Sequence, residues 1–332
     1  MSQPGAAKPG FSAEQRGSAP AAGQGGAPEP GAKVHSFVHE AMASMFEVRI
    51  AGEEAGYARS AADAAFQELD RLDAQLSRFS PSSDVCQINA LKAGRRLRVG
   101  IATFECLQTS AQVCRQTGGA FDVTIGRLYA LWQPRADAPP HPSDAELAAA
   151  REVTGMDLVE LHEEDFSVSV RRAGVRIDLG GIGKGYAVDR MIDILREWSV
   201  KTALVHGGQS SVYCLGAPPG RKGWTLNLRG PGEQGEAYGR VDLKDRSLSG
   251  SAVLDKWRHV IDPRTGRPAM GHAGAWAIAP TATLTDCLST AFMVMSAREV
   301  EEYCRQHPEV SGMLLDRGAA GSKLLKFGKW DE

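Results

Sequence analysis

Between residues 58 and 76 the large apolar side chains Phe66, Leu69, Leu72 and Leu76 fall three or four apart, the spacing that aligns them along one face of a helix. The same reading predicts helices over 103–116, over an alanine-rich 143–153, and over 283–295 and 297–306. Elsewhere apolar and polar positions alternate, or short apolar runs stop at glycine. Strands are predicted within 37–50 and at 158–161, 167–170, 175–177, 202–206, 211–215, 224–228, 237–243, 313–315 and 323–327. Four prolines in 134–142 mark a loop or a joint between subdomains. Helical and strand periods mix without strict alternation, and no segment repeats at a fixed interval. The pattern is that of an α+β chain with two subdomains in one continuous domain over 34–332.

Residues 1–33 stand apart, because Ala, Gly, Pro, Gln and Ser fill them and large apolar residues are almost absent. Such a segment cannot bury enough surface to offset its conformational entropy and is expected to be a disordered tail. The remaining chain is ordinary for a globular protein: 332 residues in all, 42% hydrophobic and 23% charged. A formal net charge of -2, with no long run of Lys or Arg, argues against a partner that is nucleic acid. Six scattered cysteines form neither a Cys-x-x-Cys pair nor a zinc-type spacing. No segment is long and apolar enough for a transmembrane helix, and no apolar stretch follows a basic start, so the chain as written reads as cytoplasmic.

Candidate chemistry concentrates first in Asp178-Leu-Gly-Gly-Ile-Gly-Lys-Gly-Tyr-Ala-Val-Asp189, at the junction of the predicted 175–177 strand with a helical pattern carrying Ala187, Met191, Ile194, Leu195 and Trp198. A helix N-terminus offers backbone N–H groups and a positive dipole end. Gly180, Gly181, Gly183 and Gly185 would let a diphosphate approach them, and Lys184 can add a point charge. The same glycines could equally serve close packing, and they fit neither the P-loop nor the dinucleotide fingerprint in full.

Five further segments carry residues that packing alone does not require. Residues 76–89 form a helix end and a polar turn presenting Phe79, a surface for a planar ligand or a core plug. In 118–132, Gly118 and Gly119 end a helix and Asp122 either orients a ligand or caps a turn. His206-Gly207-Gly208-Gln209-Ser210-Ser211 closes a strand where backbone amides open outward. Ser249-Gly-Ser251 precedes His259-Val-Ile-Asp-Pro-Arg-Thr-Gly266, in which Asp262 serves a turn and His259 can act as a base or a phosphate donor. Asp286 and Thr290 lie four apart, hence on one helical face, and both offer hard oxygen ligands suited to Mg²⁺. Dipole compensation and a back-bonded threonine explain the same pair without a metal.

Taken in order, these blocks resemble the FAD:protein FMN transferase family, the ApbE-like flavin transferases, over roughly residues 40–315. The resemblance implies a single α+β chain that binds FAD as substrate between its subdomains. It implies Mg²⁺-dependent transfer of FMN to a Thr or Ser of an acceptor protein, with release of AMP. Asp286 and Thr290 match the family's metal ligands, joined by a backbone carbonyl of the glycine-rich block near Gly181 or Ile182. Lys184 and the amides of Gly180 to Gly185 would hold the diphosphate, and His259 would assist proton transfer. Met42, Phe79, Asp122, Gly207, Gly208 and Ser249 complete the implied cofactor contacts. Ala43 stands where the family's Met-Gly-Thr entry has glycine, and Gln209 where many members carry Asn or Asp. The acceptor would carry a Ser/Thr-Gly-Ala-Ser/Thr segment, which this chain lacks, so a separate protein is expected. Many members are exported, making a periplasmic location the alternative to a cytoplasmic one. Hydrolysis of FAD to FMN and AMP, or non-catalytic flavin binding and delivery, are the competing functions.

Overall fold

A computed structural model describes residues 33–133, 141–208, 210–229, 237–252, 260–318 and 321–330. The expected tail, apart from its last position, most of the proline-rich stretch, Gln209 and His259 lie outside the described residues. In chain order the elements are β1 Val34–Ala41, β2 Ser44–Ala51, α1 Ala55–Leu76, α2 Asp84–Asn89, β3 Arg96–Arg98, α3 Ile101–Gln116, α4 Gly126–Leu131 and α5 Asp144–Arg151. A 3₁₀ turn at Met156–Leu158 leads to β4 Val159–His162, β5 Ser167–Val170, α6 Gly183–Glu197, β6 Ala203–Gly207, β7 Ser211–Leu215, β8 Trp224–Arg229 and β9 Ala237–Leu243. There follow β10 Arg246–Ala252, β11 Ile261–Asp262, β12 Arg267–Pro268, β13 His272–Ala279, α7 Ala282–Val294, α8 Ala297–Gln306, β14 Ser311–Gly318 and β15 Gly321–Phe327.

Eight strands form one sheet in the order β1-β2-β6-β7-β10-β13-β14-β15, every neighbouring pair antiparallel. Both faces are covered. Period-two alternation sends Phe46, Val48, Ile50, Val205, Tyr213 and Leu314 toward the large core shared with helices α1, α6 and α7. The intervening Leu204, Val212, Cys214, Leu248, Met313 and Leu315 face a second core closed by the β8–β9 hairpin, with Trp224, Leu226 and Val241. A smaller sheet, β3-β5-β4, and the short β11–β12 pair complete the α+β arrangement.

Helix starts follow local chemistry. Ser143 and Ser296 each close a capping box, with Glu146 and Glu299 respectively, and Thr281 accepts from Leu284 N–H at the head of α7. Helix α3 ends as glycine dictates: Gly118 and Gly119 take φ of 56° and 78°, and Gly119 N–H donates to Cys114 O.

Three local expectations change. Residues 84–89, read as part of a polar turn, form α2, capped by Ser83. The strand expected at 175–177 is extended but joins no sheet ladder; it makes a single bridge, Ile125 to Arg176. Its backbone is satisfied elsewhere: Ile177 N–H and C=O pair with the Asn89 amide at 2.6 and 3.0 Å, and Asp178 N–H donates to Val123 O at 2.7 Å. Strand β13, absent from the sequence reading, is buried along its whole length in the middle of the sheet. No described helix is long and apolar enough to cross a membrane.

Candidate functional site

The glycine turn at 178–183 opens helix α6, whose N-cap, Ile182, contributes no side-chain hydrogen bond. By contrast α5, α7 and α8 are each capped by a Ser or Thr hydroxyl. At the head of α6 Gly183 N–H donates to Leu179 O and Gly185 N–H to Asp286, so the donor character a ligand could use is that of Gly181 and Lys184. Asp178 orders the entry: its Oδ1 accepts from Gly180 N–H at 2.9 Å, and its Oδ2 is ion-paired with Arg78.

Arg78 was not singled out by the sequence, and it is the hub of this side of the site. Its guanidinium lies 4.8 Å from the Phe79 ring centroid and 5.1 Å from that of Tyr129, besides pairing with Asp178. Residues from three separate blocks thus meet at one cation. Phe79 itself is 78% exposed, a free aromatic face rather than a core plug.

Helix α7 brings oxygen donors to the same turn. Asp286, only 4% exposed, accepts from Gly185 N–H through Oδ2 at 3.0 Å, and Thr290 Oγ1 donates to Asp286 O at 3.2 Å. A Cβ placed on Gly181 would come within 3.2 Å of both Thr290 Oγ1 and the Phe121 ring. Absence of that carbon keeps space beside the Thr290 hydroxyl. The Asp286 carboxylate and Thr290 hydroxyl beside this turn are oxygen donors of the kind hard divalent cations take. Among the described residues no group of three or more His, Cys, Asp or Glu is placed to hold a metal ion.

On the other flank Lys184 reaches back, its Nζ 3.3 Å from Gly180 O, while its Cδ would lie 3.7 Å from a Cβ on Gly208. Gly208 takes φ of 57°, and its N–H donates to Met45 O. A Cβ there would also stand 2.6 Å from Ser44 Oγ, so glycine is required both by conformation and by the approach of β2. Met42 and Ala43, at φ of 50° and 54°, form the two-residue turn between β1 and β2, and Met42 N–H donates to Asp73 at 2.9 Å. Lys184, Gly180, Gly181, Gly208, Asp286 and Thr290 are therefore gathered at one place.

Asp122 and Ser249 stand differently. Asp122 is buried, with Oδ1 accepting from Thr124 N–H and Oγ1 at 2.7 and 2.6 Å and Oδ2 from Met156 N–H at 3.1 Å. Burial outweighs those bonds and lifts its carboxyl above the ordinary range. Ser249 is also buried, its hydroxyl 2.7 Å from Thr285 Oγ1 on α7. Both side chains are committed to neighbours within the protein. The nearby Asp262 serves its own turn, accepting from Arg264 N–H and Nε at 2.9 and 3.0 Å. Nothing local marked Arg78, Tyr129 or the Gly185–Asp286 contact beforehand, since each depends on elements far apart in the chain.

Against known proteins, the family model described as ApbE family matches residues 42–314. A relative named FAD:protein FMN transferase, from Klebsiella pneumoniae (strain 342), is 26% identical over 282 residues, covering 80% of this chain and 86% of the relative. Another of the same name, from Escherichia coli (strain K12), is 25% identical over 310 residues, 88% of each. The solved apo structure of Pseudomonas stutzeri flavinyl transferase ApbE superposes with a TM-score of 0.79 at 26% identity, covering 89% of this chain and 95% of its own. The fold is shared also with the flavin transferase ApbE from Vibrio cholerae, at a TM-score of 0.80 and 20% identity, over 90% and 98% of the two chains.

Proposed function

Because this chain belongs to the ApbE family, we propose that it transfers FMN from FAD to a Thr or Ser hydroxyl of an acceptor protein, with Mg²⁺ as cofactor and AMP as the other product. One observation carries the reading. The Gly185 N–H to Asp286 contact sets hard oxygen donors of α7 directly against a glycine turn suited to a diphosphate.

FAD would lie with its diphosphate along the turn at the head of α6, where Gly180 and Gly181 leave the backbone accessible and Lys184 supplies a cation. Asp286 and Thr290, with a turn carbonyl near Gly181, would hold the Mg²⁺. A bound Mg²⁺ supplies Lewis-acid polarisation and charge neutralisation at the diphosphate oxygens. The acceptor oxygen forms a bond to the flavin-side phosphorus, the bridging P–O bond to the AMP side breaks, and the hydroxyl proton is released. The protein's task is alignment of an otherwise slow displacement: fixed donors on the diphosphate and a restrained attack geometry lower the barrier by removing freedom before the step. His259, which by the family resemblance would assist proton transfer, lies outside the described residues. Phe79 offers an exposed face on which the flavin ring system can stack.

The test is incubation with FAD, Mg²⁺ and an acceptor bearing a Ser/Thr-Gly-Ala-Ser/Thr segment. Mass spectrometry should find FMN covalently added to the acceptor, with AMP in equal amount, and Asp286→Ala should lose both while still binding FAD. FAD bound with no adduct formed would refute the proposal, and AMP released without an adduct would identify a hydrolase instead.

A further inference from the structure

Helix α7 begins on a carboxylate that belongs to α6. Asp189 Oδ1 accepts from Ala282 N–H at 2.8 Å, and Oδ2 accepts from Thr283 N–H at 2.8 Å and from Thr283 Oγ1 at 2.6 Å. Two first-turn amides of α7 are thereby satisfied from a different helix. One turn away a second contact runs in the opposite sense, because Asp286 of α7 accepts from Gly185 N–H of α6.

The numbering makes the geometry plain. Residues 185 and 189 share one face of α6, residues 282 and 286 share one face of α7, and the contacts pair 185 with 286 and 189 with 282. The helices cross antiparallel here, held at two points one turn apart. A third set of bonds fixes the rotation of α7. Thr285 Oγ1 lies 2.9 Å from Ser247 Oγ and 2.7 Å from Ser249 Oγ, and Ser289 Oγ lies 3.0 Å from Ser251 Oγ, all three serines on β10. Thr285 and Ser289 each precede Asp286 and Thr290 by one residue, about 100° around the helix. Hydroxyls facing the sheet therefore set which way α7 is turned, and Asp189 sets its height against the glycine turn.

We infer that Asp189 is a positioning residue that holds Asp286 and Thr290 in register with the glycine turn, so that a divalent cation binds there. The inference rests on the proposed function, whose metal it concerns. Outer groups that orient metal ligands commonly change affinity by about 10–100-fold when removed. Asp189→Asn puts an amide N–H₂ against a donor and should lower affinity by about that factor. Thr283→Val removes one of the three bonds and should lower it less.

The experiment titrates Mn²⁺ by electron paramagnetic resonance into the native protein, Asp189→Asn, Thr283→Val and Asp286→Ala, with FAD affinity in the absence of metal and thermal unfolding measured on each. The expected result is Mn²⁺ binding by the native protein, loss in Asp286→Ala, weakened binding in Asp189→Asn and Thr283→Val, and unchanged FAD affinity in both. Native-like Mn²⁺ affinity in Asp189→Asn, with Asp286→Ala unable to bind, would overturn the inference and leave the metal reading standing. Parallel loss of FAD and Mn²⁺ affinity in both Asp189→Asn and Thr283→Val would overturn it too, marking Asp189 as a support of the fold in general. Native protein that binds Mn²⁺ no better than Asp286→Ala would remove the metal reading and this inference with it. If Asp189→Asn does not fold, Thr283→Val decides between these outcomes.

Discussion

Replacing Gly185 with alanine tests the α6–α7 crossing at its tightest point. The new Cβ would stand 2.2 Å from Ala282 O and 2.7 Å from both Ala282 C and Asp286 Cβ, where ordinary contact begins at 3.4 Å. None of these atoms sits at the end of a flexible side chain, so the helices themselves must part by roughly 1 Å. Overpacking of this kind costs about 1–3 kcal/mol, and disturbing the 3.0 Å bond from Gly185 N–H to the Asp286 carboxylate adds about 1.5–3 kcal/mol. Alanine's better helix propensity returns only about 0.8–1 kcal/mol. The net loss is on the order of 1.5–5 kcal/mol, equivalent for a chain of this length to a melting temperature lower by roughly 2–8 °C. Gly183→Ala is the matched control, since its Cβ would meet only Leu179 Cβ, at 4.0 Å. Urea unfolding followed by circular dichroism should show Gly185→Ala markedly destabilised and Gly183→Ala unchanged or slightly stabilised. Equal unfolding midpoints for the two variants would refute the packing argument.

Ala43 sits at φ of 54° in the β1–β2 turn, a conformation that costs a residue with a Cβ about 1 kcal/mol, so Ala43→Gly should raise the stability by roughly that amount in urea titration. A lower unfolding midpoint would contradict it. Burial holds the Asp122 carboxyl above its ordinary value, so the folded chain takes up this proton at a higher pH than the unfolded one does. Its contribution to stability therefore falls as pH rises from about 3.9, the unfolded value, through the raised folded value. Asp122→Asn should flatten the corresponding stretch of a plot of urea midpoint against pH, and an unaltered slope would count against the assignment.

Much of the architecture was legible locally because its causes are local. The stripe of Phe66, Leu69, Leu72 and Leu76 is the buried face of α1, and the apolar run that ends 211–215 before Gly216 is strand β7. Serines 143 and 296 cap helices with their own third residues. The glycine turn opening α6 also declares itself, since its glycines lead straight into an apolar helical period. Strand β13 did not declare itself, because its sequence, His-Ala-Gly-Ala-Trp-Ala-Ile-Ala, has little intrinsic preference for a strand. Ala275, Ala277 and Ala279 face the helix side, where α7 packs closely, and Ala273, Trp276 and Ile278 fill the hairpin side. Tertiary packing, not propensity, makes it a strand.

The same division holds for the site. Sequence by itself determined which residues are candidates for chemistry: a glycine turn, a lysine within it, and a carboxylate and hydroxyl one helical turn apart. Only the folded chain decided that Gly185 touches Asp286 across 101 positions, that Asp189 caps the helix beginning at Ala282, and that Arg78 joins Phe79, Tyr129 and Asp178. Periodicity and capping are fixed within a few residues along the backbone. Contacts between helices depend on how whole elements settle against a shared sheet, and no short stretch of chain contains that information.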